Sequence, residues 1–144
     1  MLFTPAETKV VVVGGGTMGA DVAAVCARGG CAVQVVEPTT ERRALLPDYF
    51  ANTMAELGFE HRTHLLSVAG TLEEVDWGDI DLVIECVPER LDLKQELFSK
   101  LEKYAKPEAV LASNSTSFPI SQIASGLKTA ARMIGLHFFM PAHL

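Results

Sequence analysis

Lys9 is followed by four valines in an unbroken apolar run, which reads as a strand buried on both faces, the kind found inside a parallel sheet. A glycine-rich turn comes next, then residues 17–28 with helical character, closed by Gly29 and Gly30, the residue type that most readily ends a helix. The same alternation continues along the chain. Strands are expected at residues 32–37, 65–69, 80–87, 109–113 and 132–138, and helices at 38–57, from Asp92 to 105, and around 120–125. Pro47 predicts a kink or break in the second helix. Asp92, with Gln95 three residues on, predicts a capping box at the start of the third. In that helix Leu93, Leu97 and Leu101 recur at a helical spacing beside Phe98 and mark a buried face. Strands linked through helices imply right-handed crossovers and a parallel sheet in the order 3-2-1-4-5-6. No repeat, low-complexity tract or linker interrupts the pattern, so residues 1–144 read as one domain.

Composition narrows the field mainly by exclusion. Hydrophobic residues make up 49% and charged residues 21%, an ordinary globular balance. A net charge of −6 argues against a nucleic-acid surface, which needs clustered Lys and Arg, and against an anionic membrane surface. The first residues lack a basic start followed by an apolar run, so no signal peptide is expected, and the apolar runs are far too short to span a bilayer. Cys26, Cys31 and Cys86 are odd in number and show no C-x-x-C spacing. They read as small buried hydrophobes in a reducing, cytoplasmic setting. His61 and His64 have an H-x-x-H spacing without a third ligand nearby, and read as surface residues rather than a metal site.

The chemistry begins in the first turn. Gly14-Gly15-Gly16-Thr17-Met18-Gly19 fits G-x-G-x-x-G at Gly14, Gly16 and Gly19, directly after a strand and at the opening of a helix. In such a loop the first glycine permits the tight turn, the second lets backbone approach a diphosphate, and the third lets the helix pack close on the sheet. The free N–H groups around Thr17 and Met18 and the positive end of the helix then face the phosphates. Glu37 lies 18 residues after Gly19, at the end of the second strand. A carboxylate there accepts hydrogen bonds from the adenosine ribose and repels a 2′-phosphate, which favours NAD over NADP even with Arg42 and Arg43 close by. Alternation and loop together predict an α/β, Rossmann-type doubly wound fold, with a mostly parallel sheet of six or more strands and helices on both faces.

The second half narrows the family. Glu85-Cys86-Val87-Pro88-Glu89, then Lys94 and Leu97-Phe98, resembles the E-x-V-x-E…K…LF stretch of 3-hydroxyacyl-CoA dehydrogenases. Ser113-Asn114-Ser115-Thr116-Ser117 resembles that family's S-N-T-S-S, and Gly135-Leu136-His137-Phe138-Phe139-Met140-Pro141 its G-L-H-F-F-N-P. The resemblance implies that His137 is the general base, taking the hydroxyl proton as hydride leaves the same carbon. It makes Asn114 a nicotinamide or substrate contact and Thr116 a hydroxyl donor to the substrate. It places Glu89 and Lys94 beside the nicotinamide ribose; read without the resemblance, Glu85 only orients the loop. The function implied is NAD-dependent interconversion of a 3-hydroxyacyl substrate and its 3-oxo form.

Two departures bear on the substrate. Met140 stands where the family has Asn, and Thr116 where serine is usual. The stretch between the second and fourth strands lacks the lysines that meet CoA phosphates in the family, offering residues 52–60 with two acids instead. A small free 3-hydroxy acid is therefore an alternative to an acyl-CoA thioester. The resemblance also implies, beyond Leu144, a glutamate on the strand following the histidine motif, which orients the histidine, and a helical C-terminal domain that closes the substrate cleft and forms a homodimer. Without it the chain is expected to bind cofactor with little turnover. Two further readings stay open: a hydroxyisobutyrate-type dehydrogenase, and a non-catalytic NAD-binding or crystallin-like protein.

Overall fold

The computed structural model describes residues 4–128 and 130–136. Its elements run β1 (Lys9–Val13), α1 (Thr17–Arg28), β2 (Ala32–Val36), α2 (Thr40–Glu56), β3 (Leu66–Ala69), β4 (Leu82–Glu85), α3 (Leu91–Tyr104), β5 (Val110–Ser113), α4 (Ile120–Ile123) and β6 (Met133–Gly135). The six strands form one sheet in the order β3-β2-β1-β4-β5-β6, parallel at every pairing. This is the Rossmann-type architecture and the strand order expected from the sequence. Register places Ala69, Val36, Val13, Glu85, Ser113 and Gly135 side by side across the sheet. The carboxyl ends of all six strands thus form one edge.

Every residue from Val10 to Val13 is buried because both faces of the sheet are covered. Successive side chains point to opposite faces of a strand, and two cores result. Val10 and Val12 join Val33, Val35, Ile84 and Ala112 beneath α1 and α2, where Ala20, Ala23, Ala24, Ala27, Phe50 and Met54 pack. Val11 and Val13 join Val83 and Leu111 on the other face, beneath Phe98 and Leu101 of α3 and Ile123 of α4. The small residues of α1 let that helix lie close to the sheet.

Several local expectations need correction. Pro47 lies inside α2 without ending it; Leu46, Phe50 and Met54 on either side are buried, and that packing holds the helix across the missing N–H. Asp92 does not cap α3. The N-cap is Arg90, with no side-chain cap bond, and Asp92 sits in the first turn paired with the Arg90 guanidinium at 2.7 Å. The fully buried line of α3 is Lys94, Phe98 and Leu101, shifted by one residue from the leucine stripe, with Leu91 and Leu97 only partly buried. Between β3 and β4 there is no α-helix; the chain crosses through two short 3-10 turns, Leu72–Glu74 and Trp77–Asp79.

The sixth strand is expected to reach residue 138, and its last two positions lie outside the described residues. His61 and His64 sit on a 3-10 turn, Glu60–Leu65. Among the described residues no group of three or more metal-ligating side chains occurs, and no helix is long and apolar enough to cross a membrane.

Phe98 is fully buried beneath the sheet, so Phe98→Ala should destabilise the protein by about 3–5 kcal/mol, read as a lower midpoint of urea unfolding.

Candidate functional site

The turn between β1 and α1 is shaped by contacts that only glycine permits. Gly14 adopts φ +109°, and a Cβ there would lie 2.5 Å from the Cys86 carbonyl oxygen. A Cβ on Gly19 would lie 1.8 Å from the Gly14 oxygen. Gly15, which the motif leaves free, is equally constrained: its Cβ would fall 2.9 Å from Cβ of Glu37 and 3.0 Å from Leu46 Cδ1. Gly16 is different. Among the described residues nothing beyond its own chain neighbours lies within 4 Å of where its Cβ would be, which leaves space above it for a ligand. Gly16 is also the N-cap of α1, without a side-chain cap bond, so the first N–H groups of the helix, around Thr17 and Met18, have no intrahelical acceptor. Open space, orphan donors and the helix dipole together suit a diphosphate.

The loop forms one wall of a cavity of about 800 Å³ that also takes in Glu37, Thr39, Arg42 and Tyr49 on one side and Cys86, Val87 and Pro88 on the other. It therefore straddles β1, with β2 and β4 to either side, at the point where the strand order reverses; dinucleotides bind in such crevices.

Glu37 is 2% exposed, which excludes a solvated loop acid. Its Oε1 accepts the Gly15 N–H at 2.9 Å and its Oε2 the Thr39 N–H at 2.8 Å, and the Arg42 guanidinium stands 3.5 Å from Oε1. Burial pushes this carboxyl up, but the hydrogen bonds from Thr39 and Gly15 and the charge of Arg42 outweigh it and hold it below the usual range. Arg43 is committed elsewhere, donating to the Glu37 carbonyl at 2.8 Å. Tyr49 donates to Asp21 and so ties α2 to α1 at the cavity wall; burial first, then that bond, pushes its hydroxyl up to about 12. Cys86, at the opposite wall, is pushed up to about 12 by burial and then by the neighbouring Glu85 charge, an inert thiol. All three cysteines are unpaired and partly buried.

At the ends of β4 and β5 the structure brings Glu85, Glu89, Lys94 and Thr116 into one network. Lys94, 1% exposed, is no surface residue. Its Nζ lies 2.6 Å from Glu85 Oε2 and 3.1 Å from Glu89 Oε1. Glu85 also accepts from Val87 N–H at 2.8 Å and Ser113 Oγ at 2.5 Å. Glu89 gathers the loop after β5, accepting from Ser115 Oγ at 2.9 Å, Thr116 N–H at 2.7 Å, Thr116 Oγ1 at 3.0 Å and Ser117 N–H at 2.8 Å. Desolvation raises the Glu89 carboxyl, but the donors from Ser117, Ser115 and Thr116, with Lys94, prevail and hold it at about 2. Asn114 is fixed through its backbone, its N–H donating to the Glu85 carbonyl at 3.0 Å. The serines at 113 and 115 are the site residues that motif reading passes over; their signal is the alternation of hydroxyls at the end of a buried strand. His137 and Met140 lie outside the described residues.

Comparison with known proteins bears on this arrangement. Residues 9–144 match the family model described as 3-hydroxyacyl-CoA dehydrogenase, NAD binding domain. A 3-hydroxybutyryl-CoA dehydrogenase of Mycobacterium tuberculosis is 38% identical over 96% of this chain and 51% of its own length. The glyoxysomal fatty acid beta-oxidation multifunctional protein MFP-a of Cucumis sativus is 35% identical over 94% of this chain and 20% of its own length. The crystal structure of 3-hydroxybutyryl-CoA dehydrogenase from Escherichia coli K12 superposes with a TM-score of 0.85 at 33% identity, covering 94% of this chain and 30% of that one. The chain thus spans between a fifth and about half of these relatives.

Two outcomes follow from the glycines and the acid. Gly16→Ala should leave the melting temperature unchanged and weaken NADH binding, whereas Gly19→Ala should introduce about 1–3 kcal/mol of overpacking strain and lower both; thermal melts and NADH fluorescence titration separate the two. Glu89 is more acidic in the folded than in the unfolded chain, so its stabilising contribution is present above the ordinary carboxyl value and fades as pH falls toward about 2. The difference in melting temperature between the unsubstituted protein and Glu89→Gln should therefore shrink on acidification through that window.

Proposed function

Because the chain belongs to the NAD-binding domain family of 3-hydroxyacyl-CoA dehydrogenases, we propose that the protein interconverts a 3-hydroxyacyl substrate and its 3-oxo form, with His137 as general base. The observation that carries the cofactor half is the cavity at the amino end of α1, where Gly16 leaves open space beside unpaired helix donors and Glu37 closes the β2 side. NAD supplies the hydride acceptor when bound. The residues of the chain do the rest. The loop from Gly14 to Gly19 and the first turn of α1, with Thr17 and Met18, hold the diphosphate. Glu37, which lines the β2 side of the cavity, is the proposed partner of the adenosine ribose hydroxyls. Glu89 and Lys94 stand at the nicotinamide ribose, and Asn114 faces the nicotinamide or substrate.

Thr116 is the proposed hydrogen-bond partner of the substrate oxygen. In this structure its hydroxyl donates to Glu89 at 3.0 Å, so it offers the substrate an accepting lone pair as it stands, and donates only after rotating. An imidazole, whose reference value is about 6.5, suits proton transfer near neutral pH, and in this proposal His137 takes the hydroxyl proton. Orientation supplies much of the rate, since the reacting carbon is held between the cofactor and the base. The relatives are two to five times longer than the chain, so the substrate cleft and dimer contacts belong, in this proposal, to sequence beyond this domain. The three unpaired thiols support a reducing compartment such as the cytoplasm.

Assay of the intact protein with 3-hydroxybutyryl-CoA and with free 3-hydroxybutyrate tests the reading. We expect NADH production from at least one, and a fall in kcat of about 10²–10⁴ for His137→Ala with unchanged NADH affinity. The absence of NADH production with both substrates would sink the proposal; activity on the free acid alone would assign the smaller substrate.

A further inference from the structure

We propose that the Glu85–Lys94–Glu89 cluster, two carboxylates sharing one ammonium at the carboxyl ends of β4 and β5, leaves one negative charge uncompensated and so favours the oxidised, positively charged nicotinamide over the reduced, neutral one. The inference rests on the cofactor placement given under the proposed function. It concerns which redox form the site prefers, beyond the binding of the dinucleotide itself.

The charge count comes from hydrogen-bond geometry. Ser113 Oγ accepts the Ser115 N–H at 3.1 Å, so its own proton turns to Glu85. Ser115 Oγ accepts the Phe118 N–H at 3.1 Å, so its proton turns to Glu89. The remaining partners of the two acids are backbone N–H groups, the Thr116 hydroxyl and the Lys94 ammonium. Both acids are thus surrounded by donors, as carboxylates are and carboxylic acids are not. Among the described residues, two negative charges meet one positive charge in this cluster. Arg90 and Asp92, the nearest charged neighbours along the chain, neutralise each other at 2.7 Å. The amino end of α3 contributes about half a positive charge, which reduces the surplus without cancelling it. Glu85 and Lys94 are 0% and 1% exposed, so salt screens them less than surface charges.

Position supplies the second part. Glu37 and the glycine loop occupy the β1–β2 side of the crevice, which leaves β4 and β5 on the far side of the switch point to face the nicotinamide half. Oxidised and reduced cofactor share every group except the ring, where they differ by one positive charge. A fixed charge near the ring therefore acts on the ratio of the two affinities, while loosening of the loop acts on both alike.

The test is calorimetric titration of the intact protein, Glu89→Gln and Glu85→Gln with NAD⁺, NADH and ADP-ribose near neutral pH. ADP-ribose lacks the nicotinamide and reports any general damage to the cleft. Glu89→Gln should raise the ratio Kd(NAD⁺)/Kd(NADH) on the order of five- to tenfold, any loss of its ribose contact weakening NAD⁺, NADH and ADP-ribose alike, and Glu85→Gln should move the ratio in the same direction. Equal weakening of NAD⁺ and NADH in these variants would overturn the proposal. If one variant does not fold, the ratio in the other decides. Failure of the unsubstituted protein to bind any of the three ligands would instead overturn the cofactor reading on which the inference stands.

Discussion

The constraint the site rests on is at Gly19, where an added Cβ would lie 1.8 Å from the Gly14 carbonyl oxygen. No rotamer adjustment relieves a contact of that kind, because both partners are backbone. That approach lets α1 begin immediately after β1 and run back over the sheet, with its amino end at the strand edge. The orientation of the helix donors, the cavity they face and the burial of Ala20, Ala23, Ala24 and Ala27 against β1 and β2 all depend on it. Gly14, turned to φ +109° against the Cys86 carbonyl, extends the same constraint to β4. The phosphate loop is thus wedged between two strands and its own helix.

What was legible in the sequence was what backbone periodicity writes directly. The valines of β1 announced a strand covered on both sides, the glycines a turn into a helix, and the alternation of elements a sheet whose order the structure matches. Boundaries were less legible. Asp92 and Gln95 satisfy the capping-box pattern, yet α3 starts at Leu91, because Arg90 takes the Asp92 carboxylate and Glu89 is drawn away to the loop after β5. No helix is expected from the sequence between β3 and β4, where no apolar period is written, and the structure crosses there through 3-10 turns. The helical stripe of α3 misplaced its centre for a physical reason: Lys94 occupies a position that a leucine pattern assigns to apolar contact, and its burial is possible only because two acids from other parts of the chain converge on it.

Such convergence is what a single sequence hides most completely. Glu85 lies on a strand, Glu89 in a loop, Lys94 on a helix and Ser113 to Ser117 past another strand; register alone brings Glu85 level with Ser113. An ammonium held away from water is tolerated when its partners are close and their other lone pairs are filled, and here serine hydroxyls and loop N–H groups fill them. The family motifs named Glu89, Lys94 and Thr116 individually. The structure adds that three consecutive loop residues, Ser115, Thr116 and Ser117, all donate to one carboxylate, Glu89.

Glu37 holds the Gly15 and Thr39 amides with both of its oxygens, bonds the protein makes within itself. The cradle is therefore rigid in advance, and a visiting nucleotide meets a finished surface instead of having to organise one. Ordering costs that would otherwise be charged against the encounter fall on folding. Capture at this end of the crevice is then governed by diffusion and charge, with no slow closing step required of the loop.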